Sequence, residues 1–186
     1  KMINTMQASK ILSFTTLNNP LFLYNYFKLI FNNHIVILKI FLIIYLCNIL
    51  FLIMMIIKHP HQINLSLSSA DIKKELTNSI TSTINNLLNI FAIITFFKLI
   101  CDLLIPSNTI LTIFFKGMVE ITQGLNLLAS INIPLKIKEL LTIVILSFSG
   151  FSIHIQISNI LSGYNINYKY FYISRFILIF LGKMLL

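Results

Sequence analysis

The sequence has few charged residues and very few acidic ones. Five Asp and Glu residues stand against 14 Lys and Arg, and charged residues make up 10% of the 186-residue chain, well below the roughly 25% of a soluble domain. This balance excludes an ordinary soluble protein, and the 57% of hydrophobic residues favours a membrane protein. At roughly 20 residues for each transmembrane helix, residues 1–186 have room for a single domain with a handful of spans.

Cysteines and catalytic motifs are also scarce. Cys47 and Cys101 both lie inside apolar runs, and two cysteines without CxxC or Cys/His spacing indicate neither a disulfide framework nor a metal site. The sequence has no P-loop and no metal-ligand motif. We therefore expect no metal, no cofactor and no enzymatic activity, and we expect both thiols to behave as small hydrophobic groups.

The chain also lacks the features of a secreted protein's leader. It begins with Lys1 rather than with methionine, and no charged segment, apolar core and small-residue cleavage site open it. No signal peptide is therefore predicted. We expect the chain to be the later part of a longer protein.

The excess of positive charge does not indicate nucleic-acid binding, because the lysines stand at the ends of apolar runs without forming a basic cluster. The lipid bilayer is the predicted partner. If the membrane segments from residue 35 onward alternate in direction, one group of lysines shares a side, which the positive-inside rule makes cytoplasmic. This group is Lys58, Lys73, Lys74, Lys136 and Lys138.

The apolar runs predict an all-α fold, a polytopic helical membrane protein with interrupted or re-entrant helices. The run 35–57 is long enough to cross about 30 Å of hydrocarbon. An amphipathic surface helix is predicted over 68–86, where isoleucine or leucine recurs every four residues. The predicted membrane segments are 11–31, for which a re-entrant path is one interpretation, then 35–57, 87–105, 109–132 (interrupted), 140–161 (interrupted) and 171–186.

The stretch GMVEITQG interrupts the segment 109–132 with a carboxylate. A charged group at a helix centre costs about 3 kcal/mol in a bilayer, so Glu120 requires a function or a partner. In one interpretation, Glu120 binds a coupling cation or proton and nearby polar side chains bind a solute. In the other, Glu120 pairs with Lys116 one turn earlier at the membrane interface. The remaining candidate residues here are Thr122 and Gln123, with Gly117 and Gly124 giving room for backbone or ligand.

A second interruption follows in the segment 140–161, where the apolar run becomes polar after Leu146. An isolated strand cannot span a bilayer, so we predict a helix broken near Ser149 and Gly150. His154 has two interpretations, a satisfied interior imidazole or a substrate contact or proton relay. The other candidate site residues of this segment are Ser147, Ser152 and Gln156.

A sequence pattern similar to that of the second interruption occurs near the start of the chain. LSFTT at 12–16 matches the pattern of LSFSG at 146–150, and the first copy continues through two asparagines into Pro20. Matching interruptions in two halves mark the binding site of transporters built from repeats, although membrane hydroxyls also often bond to backbone. Ser13, Thr15 and Asn18 are therefore candidate site residues.

Three stretches in this order carry a family resemblance: SFTTLNNPLF at 13–22, GMVEITQG at 117–124 and SFSGFSIHIQ at 147–156. They resemble the sporulation integral membrane protein YlbJ family. That family lies among the nucleoside-recognition, or Gate-domain, membrane proteins, which are related to concentrative nucleoside transporters. The resemblance covers nearly the whole chain and corresponds to the C-terminal part of the longer family members. Leu178 departs from the family pattern, in which a histidine is common there.

The resemblance implies a protein made in the mother cell of spore-forming bacteria and needed for spore maturation. It implies transport of dipicolinic acid across the outer forespore membrane, with protons or Na⁺ as coupling ion and with a homo-oligomer left open. A dicarboxylate would require amide donors, half-helix N-termini and Arg175 or a lysine, so Glu120 fits a cation better than the solute. The alternatives are a structural or assembly protein of the spore envelope without transport activity and a nucleoside-type transporter.

Overall fold

The computed structural model describes residues 5–15, 18–58, 72–104 and 109–186, and these residues form helices without strands. This architecture confirms the predicted all-α membrane fold. The helices are α1 (Thr5–Thr15), α2 (Pro20–Ile30), α3 (His34–Lys58), α4 (Ile72–Leu104), α5 (Ile110–Val119), α6 (Ile121–Ser130), α7 (Leu135–Phe148), α8 (Gly150–Ile160) and α9 (Lys169–Leu185).

Three stretches of the described helices are long and apolar enough to cross a membrane. They are His34–Ile53 in α3, Leu76–Leu104 in α4, and Leu135–Ile160, which runs through α7 and α8. The bundle core forms where α2, α3, α6 and α7 pack, around fully buried side chains such as Phe27, Ile40 and Leu125. The order of these elements follows the order of the apolar runs in the sequence.

Helix α4 is one continuous helix, whereas the sequence predicted an amphipathic helix over 68–86 and a span over 87–105. Residues 68–71 lie outside the described residues. With 33 residues, α4 is about 50 Å long at 1.5 Å per residue, so its polar first half extends beyond the hydrocarbon. Its apolar side chains, including Leu87 and Phe91, are exposed on the protein, as expected for a helix that faces lipid.

Helices α5 and α6 form a hairpin at Glu120, whose backbone is extended at φ −145° and ψ 121°. A Cβ added at Gly124 would overlap the Cα of Gly117, although a straight helix would hold these residues about 10 Å apart. Each arm has 10 residues, or about 15 Å, which is half of the hydrocarbon thickness. The hairpin therefore enters the membrane, turns near its middle and returns to the same side.

The segment of α7 and α8 crosses the bundle with a break at the predicted position. Ser149 and Gly150 both have left-handed backbone, with φ of 73° and 65°. Such a conformation is uncommon for a residue other than glycine. Since the break lies between 14 residues of α7 and 11 of α8, it stands near the middle of the crossing.

An ion pair sets the relative direction of the crossing helices. Lys39 Nζ lies 3.1 Å from Glu139 Oε2, which brings the beginnings of α3 and α7 to the same side. The predicted alternation of segments is therefore wrong, because the α5–α6 hairpin does not cross. Lys136 and Lys138 then lie on the side opposite to Lys58, so the lysines are divided between both sides and do not define an orientation.

Helices α1 and α2 together cross the bundle, with a break between them. The backbone N–H of Asn167, just before α9, donates to Ser9 Oγ at 2.9 Å, which places α1 beside the start of α9. Helix α2 ends close to the start of α3, which lies on the other side. These contacts favour a broken crossing over the re-entrant interpretation of 11–31.

Cysteine labelling from each side of the membrane tests this path of the chain. We expect Asn32→Cys and Ser130→Cys to react with an impermeant maleimide from the same side and Gly163→Cys from the opposite side, because the α5–α6 hairpin returns to its starting side. The native Cys47 and Cys101 are buried and give a low background. Labelling of Asn32→Cys and Ser130→Cys from opposite sides would show that the segment crosses.

The close approach of the hairpin arms predicts a large effect of one methyl group. Gly124→Ala is expected to lower the free energy of unfolding by at least about 2 kcal/mol, since the added Cβ overlaps backbone that cannot move away. The matched control is Gly163→Ala, whose Cβ would have no heavy atom within 4 Å. Unfolding in detergent measures both variants, and equal stability would contradict the hairpin contact.

Candidate functional site

The three helix interruptions meet inside the bundle, and we name this region the junction: Glu120, Ser149–Gly150 and the non-helical Asn18–Asn19 before α2. A Cβ at Gly150 would lie 3.3 Å from the backbone N of Ile121 and 3.4 Å from the carbonyl O of Gly117. The hairpin tip therefore rests directly on the α7–α8 break. Asn18 Nδ2 donates to the carbonyl O of Leu146 at 3.5 Å, which brings the α1–α2 break to the same place.

Glu120 is buried, with 3% of its surface exposed, and it caps the start of α6. Its Oε2 accepts a hydrogen bond from the backbone N–H of Gln123 at 3.0 Å and another from the hydroxyl of Thr122. A carboxylate at this position satisfies an orphan amide and interacts favourably with the positive end of the helix dipole. The hairpin tip thus holds a buried carboxylate that, among the described residues, is satisfied by hydrogen bonds and forms no ion pair.

The alternative in which Glu120 pairs with Lys116 is wrong for this geometry. Among the residues that the structure describes, the ion pair within bonding distance is Lys39–Glu139. The helix ends at Glu120, whose backbone N–H donates to the carbonyl of Lys116 at 2.7 Å. Because the following backbone is extended, the Glu120 side chain turns toward α6 instead of back along α5. Helical spacing from Lys116 therefore does not place the two charges together.

Ser149 joins the break to its neighbours through its hydroxyl. The hydroxyl donates to the carbonyl O of Leu146 at 3.2 Å and accepts from Nη1 of Arg175 at 3.2 Å. Since the hydroxyl is engaged in this way and the residue is left-handed, α8 begins without a side-chain cap. A strained conformation of this kind costs of order 1–3 kcal/mol and is retained where surrounding contacts fix it.

Arg175 links three elements of the junction from α9. It is 2% exposed, and besides Ser149 its guanidinium reaches the carbonyl O of Ser13, to which Nη2 donates at 3.1 Å. The guanidinium carbon also stands 4.9 Å from the ring centroid of Phe171, a cation–π arrangement. One side chain therefore ties α1, the α7–α8 break and α9 together.

His154 and Ser152 lie on the first turns of α8. Nε2 of His154 is 2.8 Å from the carbonyl O of Phe148, and because a carbonyl only accepts, this nitrogen carries the proton. Within the described part of the chain, Nδ1 of His154 and Oγ of Ser152 have no hydrogen-bond partner, although both are buried. The imidazole stacks on Phe148 and packs edge-on against Phe171.

The structure brings together most, but not all, of the predicted site residues. Ser13 lies at the junction through its carbonyl, while its hydroxyl donates to the carbonyl O of Lys10 at 2.6 Å. Ser147 instead faces Gly182 on α9. Thr15 is exposed and Gln156 is half-buried, and neither makes a hydrogen bond to the junction within the described ranges.

Sequence reasoning gave too little weight to residues that hold the site together. The sequence predicts Arg175 only as one alternative partner of an anionic solute, although a lone arginine inside the apolar segment 171–186 is itself a signal of function. Two tyrosines were missed: Tyr45 donates its hydroxyl to the carbonyl of Asn18 at 3.1 Å, and Tyr26 lies beside Thr122 and Asn126. Tyrosines in apolar runs carry no distinctive sequence signal.

Comparison with known proteins confirms the resemblance inferred from the three motifs. The chain is similar to the sporulation integral membrane protein YlbJ of Bacillus subtilis, with 31% identity over 122 residues. The matched region covers 55% of this chain and 30% of that protein, so the chain spans about a third of the relative's length. No family model matches the chain. No solved structure matches it either.

The capping role of Glu120 predicts different effects of two substitutions. Glu120→Ala is expected to lower the free energy of unfolding by about 1 kcal/mol, because the amide of Gln123 loses its acceptor. Glu120→Gln keeps the oxygen acceptor and loses only the interaction of the charge with the helix dipole, so its loss of stability is expected to be smaller than that of Glu120→Ala. Thermal unfolding in lipid nanodiscs measures both, and equal losses for Ala and Gln would contradict the cap.

Proposed function

We propose that the chain is part of a sporulation membrane transporter that moves a small polar solute, by resemblance dipicolinic acid, across the outer forespore membrane. The observation that carries the proposal is the meeting of three helix interruptions at buried polar and charged groups inside the bundle. The name of the relative, a sporulation integral membrane protein, supports the sporulation setting. The resemblance to the Gate-domain proteins supports transport.

Energetics favour a functional junction over a purely structural one. Interrupted backbone and buried charge are both expensive within a bilayer and occur mainly where they line a substrate or ion pathway. A protein that served only as a spore-envelope scaffold could use continuous helices, which need neither Glu120 nor Arg175 at this depth. Transporters use such half-helices because their free backbone groups and dipoles bind solutes and ions.

Glu120 is suited to bind a proton or Na⁺. Its carboxylate caps α6, and the cap depends on the negative charge as well as on the oxygen acceptor. A proton or cation at Glu120 therefore weakens the capping interaction of its side chain with the N-terminus of α6 at the hairpin tip. Because the tip rests on Gly150, ion binding at Glu120 couples to the contact between the hairpin and the α7–α8 break.

The hairpin meets the α7–α8 segment at glycines. Gly150 lies against Ile121 and the carbonyl O of Gly117 at the tip, and the Ile145 side chain of α7 packs against Gly117 and Gly124 of the two arms. Separation of the tip from the α7–α8 break would open the junction toward one side of the membrane. Alternating access of this kind is the mechanism that broken-helix transporters use.

The test is accumulation of dipicolinic acid in spores of the native organism carrying Glu120→Gln, at membrane abundance equal to the wild type. We expect accumulation to collapse, because the amide cannot exchange a proton or balance a cation. The matched control is Glu139→Gln, which removes a buried carboxylate outside the junction, where it pairs with Lys39.

Normal accumulation with Glu120→Gln would contradict the proposed role of this carboxylate. Equal defects in both variants would point to a loss of folding or assembly instead. Loss of a partner protein from the envelope with intact transport would favour the structural alternative.

A further inference from the structure

The start of α8 lacks the side-chain cap that helices commonly have. Ser149, the residue before the helix, makes no capping hydrogen bond to the first amide N–H groups of α8, which belong to Gly150, Phe151 and Ser152. The first N–H groups of any helix lack intrahelical partners. Near the middle of a membrane such groups require a partner from outside the helix, and the helix dipole makes an anion the favoured one.

Ser152 adds an independent indication of a ligand at this place. It is fully buried, and its hydroxyl has no partner within the described ranges. Side chains of a helix tilt toward its N-terminus, so the hydroxyl of a residue in the first turn lies beside the first amides of that helix. An unsatisfied buried hydroxyl costs stability, which is understandable where a ligand completes its hydrogen bonding.

Arg175 supplies positive charge at the same place. Its Nη1 reaches the hydroxyl of Ser149, the residue directly before α8, at 3.2 Å. Two of the groups that accept hydrogen bonds from it, the Ser149 hydroxyl and the Ser13 carbonyl, are neutral. A carboxylate is a stronger acceptor for a guanidinium and matches its planar fork, so an anionic solute can compete for these hydrogen bonds.

We propose that the N-terminus of α8, the Ser152 hydroxyl and the Arg175 guanidinium form a carboxylate-binding site for the transported solute. This inference rests on the proposed transport function and adds the residues that recognise the anion. The solute carboxylate accepts hydrogen bonds from the α8 amides and from Ser152. The Arg175 guanidinium exchanges part of its hydrogen bonding to Ser149 and Ser13 for hydrogen bonds to the ligand.

The two charged residues of the junction thereby have separate roles. Glu120 caps α6 across the Gly150 contact from α8, and a bound solute carboxylate would repel it as a like charge. A proton or cation at Glu120 removes this repulsion. The anion and the coupling ion therefore favour each other's binding, as symport of the two requires.

The test measures binding of radiolabelled dipicolinate to the purified full-length protein in lipid nanodiscs, with competition by picolinate and by uncharged picolinamide. We expect picolinate to compete and picolinamide to compete at least about tenfold more weakly, because a hydrogen-bonded charge pair is lost. Ser152→Ala should weaken dipicolinate binding about tenfold without lowering the unfolding temperature, since the hydroxyl is unsatisfied in the ligand-free protein.

Ser174→Ala is the matched control. Ser174 is equally buried, but its hydroxyl donates to the carbonyl of Phe171 in its own helix at 2.6 Å, so dipicolinate affinity should change about twofold or less, as expected for a site away from the ligand. Arg175→Lys keeps the charge but loses the planar fork, and we expect it to weaken dipicolinate more than picolinamide.

Wild-type affinity in Ser152→Ala would overturn the carboxylate site, and so would equal competition by picolinate and picolinamide. In either case the proposed transport function stands if Glu120→Gln still abolishes dipicolinate accumulation. Absence of binding of all three probes to the wild type would overturn the inference, and normal accumulation with Glu120→Gln would then contradict the proposed function separately.

Discussion

Every backbone polar group within a bilayer must find a partner, and this constraint determines how the junction is built. Three interrupted elements each free backbone groups that a continuous helix would pair. Side chains of other elements donate hydrogen bonds to the freed carbonyl groups. Arg175 donates to the carbonyl of Ser13, Asn18 to that of Leu146 and His154 to that of Phe148. The α1–α2 and α7–α8 interruptions therefore depend on each other, because Arg175 and Asn18 join them through hydrogen bonds.

This mutual dependence links the fold to the proposed transport. The polar groups of the junction are those that ions and solutes bind: a carboxylate at the tip of a glycine-lined hairpin, a helix start without a side-chain cap and a buried guanidinium. The hairpin contacts the α7–α8 break at Gly150, where Ile121 and the backbone of Gly117 lie against the glycine. Binding and movement thus depend on the same contact.

Local features of the fold could be predicted from the sequence, whereas relations between segments could not. The all-α membrane fold and the break at Ser149–Gly150 follow from composition and from glycine and serine in an apolar run. The hairpin return at Glu120 does not, because a crossing and a re-entrant segment have the same composition, and this error reversed the predicted side of Lys136 and Lys138. The pairing of Arg175 with Ser13 joins residues at opposite ends of the chain, which no local pattern encodes.

The most direct test of the central claim, that the interruptions stabilise one another through Arg175, is a double-mutant cycle. The free energy of unfolding in bicelles would be measured for Ser149→Ala, Arg175→Lys and the double variant. The account predicts a coupling of about 1 kcal/mol, because the lysine variant has already lost the Nη1 hydrogen bond that Ser149→Ala removes. Additive losses, within about 0.5 kcal/mol, would show that the two residues act independently and would contradict the account.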